Sequence, residues 1–350
     1  MIKTLYKKLL KPLVFKLDPE FVHDSFMNLG ELMGTNSVGR SLIGAMYGYK
    51  GKDISKIVDG ITYKTPILLS AGFDYNARLV SILDKMSFGG EEVGSVTAKP
   101  CLGNEKPRLT RAKKSESIVV FKGLKNDGVD EVISRIKRKK IANDFVVGVS
   151  IARTNSIECA EIGAGIEDYY YSLKRLVDEN IGKYYTINIS CPNAFGGETF
   201  ADVKRLPLLL EKLKTVQTSK PIYVKMPINL EWSEFNDLLD IIDSHKLNGV
   251  VIGNLNKNYE DLDYRDEAPK NYRGGLSGKP CRVLSNNLIE KTRSKFGDKK
   301  TIIGVGGILT AQDAIEKFRL GADLVQLITG MIFEGPHLIN EIAQEYSKYR

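Results

Sequence analysis

The sequence predicts a (β/α)8 TIM barrel, an α/β fold, preceded by a small N-terminal helical extension. Three observations carry the prediction. Eight short apolar runs recur along the chain, longer helix-period stretches separate them, and a glycine pair closes the seventh run and a Thr-Gly step the eighth, where barrels of this kind hold phosphate.

The runs cover 67–71, 92–97, 146–151, 184–190, 222–226, 249–254, 301–305 and 324–329. They are nearly continuous rather than alternating, the pattern of parallel strands buried on both faces. Segments 202–216, 231–246 and 311–320 carry helical periodicity. No Gly-x-Gly-x-x-Gly follows the first run, which argues against an open dinucleotide-binding sheet. Two connections are long, 100–144 after the second strand and 255–300 before the seventh. Both leave C-terminal strand ends, so part of each is expected to cover the site. The chain thus divides into an extension over 1–59 and a barrel over 60–350.

With 350 residues, 42% hydrophobic and 27% charged, the chain can bury a substantial core. The net charge of +8 is spread without a basic block or nucleic-acid motif, so no nucleic-acid partner is expected. Cys101, Cys159, Cys191 and Cys281 form no Cys-x-x-Cys pair, and His23, His245 and His337 are scattered. No metal site or disulfide framework follows, and a reduced compartment fits best.

No run has the roughly 18 to 20 apolar residues of a membrane span. Over 1–16, Leu5 and Leu9 share a helical face and five lysines interleave with apolar residues. This element either rests on an anionic membrane surface or packs on the body; composition supports both. It lacks the apolar core and cleavage site of a signal peptide. The expected location is the cytoplasmic side of a membrane, peripherally, or the cytoplasm.

The seventh run ends Ile303-Gly304-Val305-Gly306-Gly307-Ile308, with a helix from about Thr310, and the eighth ends Gln326-Leu327-Ile328-Thr329-Gly330. Glycine pairs let backbone N–H groups approach an anion, so a phosphate-bearing ligand is expected there. Lys225 lies in the apolar stretch Tyr223-Val224-Lys225-Met226-Pro227. It is either a lysine snorkelling from a strand end or a buried cation that needs a negative partner, which a reduced flavin would supply. In Asn188-Ile189-Ser190-Cys191-Pro192-Asn193, a thiol of lowered pKa can act as a base and two amides can hold a polar ligand. A lone cysteine also serves as core filling, and a flavin-free isomerase barrel fits these local features too.

Taken together, the motifs resemble the dihydroorotate dehydrogenase family nearly end to end. The segments carrying the resemblance are Leu17-Asp18-Pro19-Glu20 with His23, Ser70-Ala71-Gly72-Phe73-Asp74, Val93-Gly94-Ser95-Val96-Thr97, and Gly103-Asn104 with Pro107-Arg108. They continue through the 188–193 segment, Gly274-Gly275-Leu276-Ser277-Gly278-Lys279-Pro280, the 302–307 segment and Gly335-Pro336. The N-terminal match is to the membrane-associated, quinone-reducing class, in which this region forms a helical cap and quinone tunnel. The resemblance implies FMN held by Ala71, Gly72, Gly94, Ser95, Asn188, Lys225, Asn254, Ser277, Gly278, Gly306, Gly307 and Thr329. It places Asn188, Asn193 and Asn254 at a dihydropyrimidine-like substrate and Cys191 as the catalytic base. That base takes the C5 proton of dihydroorotate while hydride leaves C6 for flavin N5, and electrons pass on to an acceptor such as a quinone.

The chain also departs from the family pattern. The quinone-reducing class has serine as its base, whereas Cys191 is typical of the soluble classes. The family lysine after Gly-Phe-Asp, beside flavin and substrate, is Tyr75. The substrate-binding Asn-Arg-x-Gly-Phe-Asn stretch reads Val120-Phe121-Lys122-Gly123-Leu124-Lys125, a third-strand asparagine is Ser150, and the sixth-strand Thr-Asn-Thr reads Gly253-Asn254-Leu255. Lys122 and Lys125 are candidates to restore a carboxylate contact. Two readings follow: dihydroorotate oxidation, or an FMN oxidoreductase of the same lineage with another substrate, set by Tyr75, Val120 and Leu255. A flavin-binding scaffold without catalysis is a third, weighed down by the retained Cys191, Asn193 and Lys225.

Overall fold

A computed structural model describes residues 2–197, 200–266 and 274–350. Eight parallel strands close in chain order: β1 (Ile67–Leu69), β2 (Gly90–Val96), β3 (Val146–Ile151), β4 (Tyr185–Asn188), β5 (Ile222–Met226), β6 (Gly249–Ile252), β7 (Thr301–Val305) and β8 (Leu324–Leu327). β8 pairs with β1, completing the barrel expected from the eight apolar runs.

Side chains alternate inward and outward along each strand, so the barrel interior is built in layers. The lower layer is apolar: Leu68, Val146, Tyr184, Tyr223, Val251, Ile303 and Leu324 form one buried cluster. It is plugged from below by a hairpin of Lys56–Val58 and Ile61–Tyr63, whose Val58 and Tyr63 join the cluster. Asp59 in the hairpin turn fixes the plug by accepting from Tyr223 Oη and Thr301 Oγ1, each at 2.7 Å. Two residues further along the strands the interior turns polar, with Glu92, Thr186, Lys225 and Gln326 all buried.

The barrel helices include α3 (Val129–Arg138), α4 (Ile162–Asp178), α5 (Leu206–Lys214), α6 (Trp232–Ser244), α7 (Arg282–Phe296), α8 (Ala311–Arg319), α9 (Thr329–Glu334) and α10 (His337–Tyr349), preceded in the chain by α1 (Pro19–Gly34) and α2 (Ser37–Tyr47). The long connections do cover the barrel mouth. Leu109–Ala112 and Ser117–Val120 from the first form an antiparallel sheet with Gly275–Leu276 from the second, in register Val120↔Gly275 and Val119↔Leu276. Residues 267–273 of the second connection lie outside the described residues.

The N-terminal segment runs helically from Ile2 to Val14 with a π-helical stretch at Tyr6–Leu10. It is tied to the body by Tyr6 Oη donating to the Ile332 carbonyl at 2.5 Å, by Lys3–Glu341 and Lys7–Glu334 ion pairs, and by a Phe15–Phe333 edge contact. Asp18 caps α1 by accepting from the Phe21 amide, and Asn36 caps α2 by accepting from Gly39. Leu5, Leu9, Leu13, Phe21, Leu32 and Leu42 of these helices stay exposed. Among the described residues no helix is long and apolar enough to cross a membrane.

The lower plug leaves no slack. A Cβ on Gly148 would lie 2.1 Å from the Tyr184 ring, which is itself packed edge-on against Tyr223. Gly148→Ala is therefore expected to cost about 1–3 kcal/mol through overpacking, read as a lowered urea midpoint.

Candidate active site

A cavity opens at the C-terminal rim between β5 and β8 and is lined by Ala71, Lys225, Asn254, Ser277, Gly278, Gly306, Gly307 and Thr329. These are eight of the twelve residues expected at the cofactor. Gly306 and Gly307 leave β7 with φ of +103° and +76°, a backbone that L side chains rarely adopt. A Cβ on Gly307 would fall 2.4 Å from Cβ of Arg282, whose Nε holds the Gly307 carbonyl. Across the cavity the hydroxyls of Ser277 and Thr329 lie 2.8 Å apart where α9 begins. Glycine amides and paired hydroxyls form the donor set that a phosphomonoester needs.

Lys225 forms part of the cavity wall and is 4% exposed. Among the described residues its Nζ meets Ser70 Oγ at a long 3.5 Å, and burial pulls its pKa down against the opposing pull of Glu92 and Cys191. Nearby, Glu92 Oε2 accepts from Thr186 Oγ1 at 2.7 Å and Gln326 Nε2 at 3.1 Å. The sequence reading missed Glu92; an acid at an inward position of an apolar run was the available signal.

The four other residues expected at the cofactor, Gly72, Gly94, Ser95 and Asn188, are not among those lining this cavity and are hydrogen-bonded in pairs. Gly72 N–H donates to the Gly94 carbonyl at 2.7 Å, and Asn188 Nδ2 donates to Ser95 Oγ at 2.8 Å. Ser95 in turn meets Ser150, so the residue standing at the altered third-strand position is bound into the wall. Asn254 Nδ2 donates to Ser190 Oγ at 2.8 Å, and Ser190 Oγ donates to Asn188 Oδ1 at 3.0 Å. This Asn188–Ser190–Asn254 chain separates the large cavity from a smaller one lined by Leu124, Arg153, Tyr169, Asn188 and half-buried Cys191.

Asn193 Nδ2 donates to the Val120 carbonyl at 2.9 Å, and its own carbonyl accepts from Asn104 Nδ2 at 3.0 Å. Its Oδ1 is buried with no donor among the described residues. Asn155 braces the same loop, donating to Asn104 Oδ1 and accepting from the Phe195 amide. Neither Asn104 nor Asn155 was assigned a role from sequence; their amides converge only in three dimensions. Of the departing residues, Leu255 lines the large cavity, whereas the Val120 side chain packs into the Phe15–Phe333 cluster. Tyr75 stacks on His23 with ring centroids 5.5 Å apart.

A phosphate cradle alone would fit many barrels. Here it shares one cavity with a buried lysine that forms no ion pair among the described residues, a liability unless the ligand brings negative charge to it. The flavin isoalloxazine does so on reduction, and the fit defines an FMN-dependent (β/α)8 oxidoreductase.

Comparison with known proteins narrows that class. Residues 54–349 match the family model described as Dihydroorotate dehydrogenase. A protein of Christiangramia forsetii named "Dihydroorotate dehydrogenase (quinone)" is 36% identical over 97% of this chain and 98% of its own length. A protein of the same name from Shewanella frigidimarina is 32% identical over 98% and 99%. The crystal structure of an Eimeria tenella DHODH in complex with ferulenol superposes with a TM-score of 0.80 at 26% identity, covering 95% of this chain and 91% of that one. The chain belongs to the dihydroorotate dehydrogenase family.

Because Gly307 has no room for a side chain, Gly307→Ala is expected to weaken FMN retention at least tenfold. Flavin absorbance per protein after gel filtration measures this.

Proposed function

We propose that this protein oxidises dihydroorotate to orotate and delivers the electrons to a quinone. The observation that carries the reading is Cys191 on one side of the Asn188–Ser190–Asn254 chain and the phosphate-cradling, lysine-walled cavity on the other. Bound FMN supplies the two-electron acceptor for the hydride released from C6 of the substrate. The protein's residues do the rest. Cys191 Sγ takes the proton from C5, so loss of one hydride and one proton leaves the ring double bond of orotate. Asn193 Oδ1, buried without a donor among the described residues, accepts a ring N–H, and Asn188 and Asn254 complete a set of matched amides. Lys225 balances negative charge gathering on the cofactor ring.

Relatives that are 32–36% identical over nearly the whole chain share the quinone-linked name, which favours dihydroorotate over another substrate. The packing of Val120 away from the site removes one of the three departures on which a different substrate rested. We further propose that the extension over 1–59 docks on a membrane surface and admits the quinone there. The exposed leucines of the N-terminal helices, with lysines interleaved, support a peripheral attachment.

Dihydroorotate added without oxygen is expected to bleach the flavin of the purified holoenzyme; an unbleached spectrum would sink the reading. Cys191→Ala should slow that reduction by about 10²–10⁴-fold with FMN content unchanged, the usual worth of a general base. Removing residues 1–16 should lower partitioning onto anionic vesicles and quinone turnover together while leaving bound flavin at wild-type level. Unchanged partitioning would remove the membrane argument.

A further inference from the structure

We propose that Lys122 binds the substrate carboxylate, taking over the charge that the family places at position 75. The inference rests on the dihydroorotate reading and concerns what recognises the anionic end of that substrate. Position 75 carries a phenol, so a carboxylated ring needs its cation from elsewhere. Leaving such a group without its partner is among the costliest mismatches a binding site can make.

The structure returns an ammonium to the place where one is missing. Lys122 Nζ lies 3.4 Å from Tyr75 Oη and 5.1 Å from the centroid of its ring. The backbone before it and the side chain after it touch the walls of the site. The Val120 carbonyl, two residues before, holds Asn193, and Leu124, two residues after, lines the Cys191 cavity. Lys125 is more exposed, 31% against 13% for Lys122, and its hydrogen-bond partner is Glu20 rather than Tyr75.

Lys122 is also not spent on its present partner. Glu20, 5% exposed at its side chain, gathers Arg108 at 3.1 Å, Lys122 and Lys125 at 3.4 Å each, and Lys106 at 4.0 Å. The other carboxylate acting on these lysines is Asp24, which is hydrogen-bonded to His23. Four cations against Glu20 and Asp24 leave a surplus of two positive charges. Arg108 makes the shortest contact to Glu20 and can neutralise it alone, so Lys122 can turn to an arriving anion without stranding a buried carboxylate.

The test is orotate affinity of the holoenzyme, read from the change in the flavin visible spectrum on titration. Lys122→Met should weaken orotate binding about tenfold or more, the worth of one charge-assisted hydrogen bond. The double exchange Tyr75→Lys/Lys122→Tyr, which returns the ammonium to position 75, should recover affinity to within a few fold of wild type. Unchanged orotate binding in Lys122→Met, or a loss that the exchange does not recover, overturns the assignment. The dihydroorotate reading fails separately, if the wild-type flavin is not reduced by dihydroorotate.

Discussion

Closure of eight parallel strands in chain order is the constraint on which everything else in this molecule depends. It forces every C-terminal strand end onto one rim and every second side chain into one interior. The lower interior is filled by Tyr184 and Tyr223, with the hairpin's Tyr63 packed against them. The polar layer above it, Glu92 with Thr186, Gln326 and Lys225, leads up to the cavity, whose wall Lys225 joins. Its charges are tolerated because it lies where the packed barrel ends and a ligand begins.

The features legible in the sequence were those whose cause is local. A strand buried on both faces writes itself as an apolar run, and all eight barrel strands fall within or against such runs. Their ends shifted where chemistry changes. β2 begins at Gly90, ahead of the expected 92, because Gly90 and the charged Glu91 carry no apolar signal although both lie buried in the strand. β4 stops at Asn188 because Ile189 and Ser190 already belong to the turn that carries Cys191. The expected helix over 202–216 contracts to α5, since Asp202 spends its side chain on the amides of Lys204 and Arg205 before the helix starts. The hairpin plug was invisible: three residues per strand are too few for alternation to register.

The site divides along the same line. The glycine pair after β7 and the lysine in β5 were readable because each is an unusual residue in its own segment. The Glu20 cluster was not, since Lys122 meets Glu20 across 102 residues of chain and no local pattern encodes that encounter. The Asn104–Asn155–Asn193 brace belongs to the same kind, being assembled from three separate connections. For the N-terminal segment composition allowed two environments, and the helix has features of both: half-buried Tyr6 and buried Phe15 contact the body while Leu5, Leu9 and Leu13 are exposed.

The small sheet over the barrel mouth has a consequence for motion. Val120 pairs with Gly275 through its strand and receives the Asn193 amide on its carbonyl, so one residue joins the roof above the cofactor to the loop carrying the thiol. Displacing the strand at Val120 breaks both its pairing with Gly275 and its hydrogen bond to Asn193. Loosening the roof therefore loosens the loop that carries the thiol.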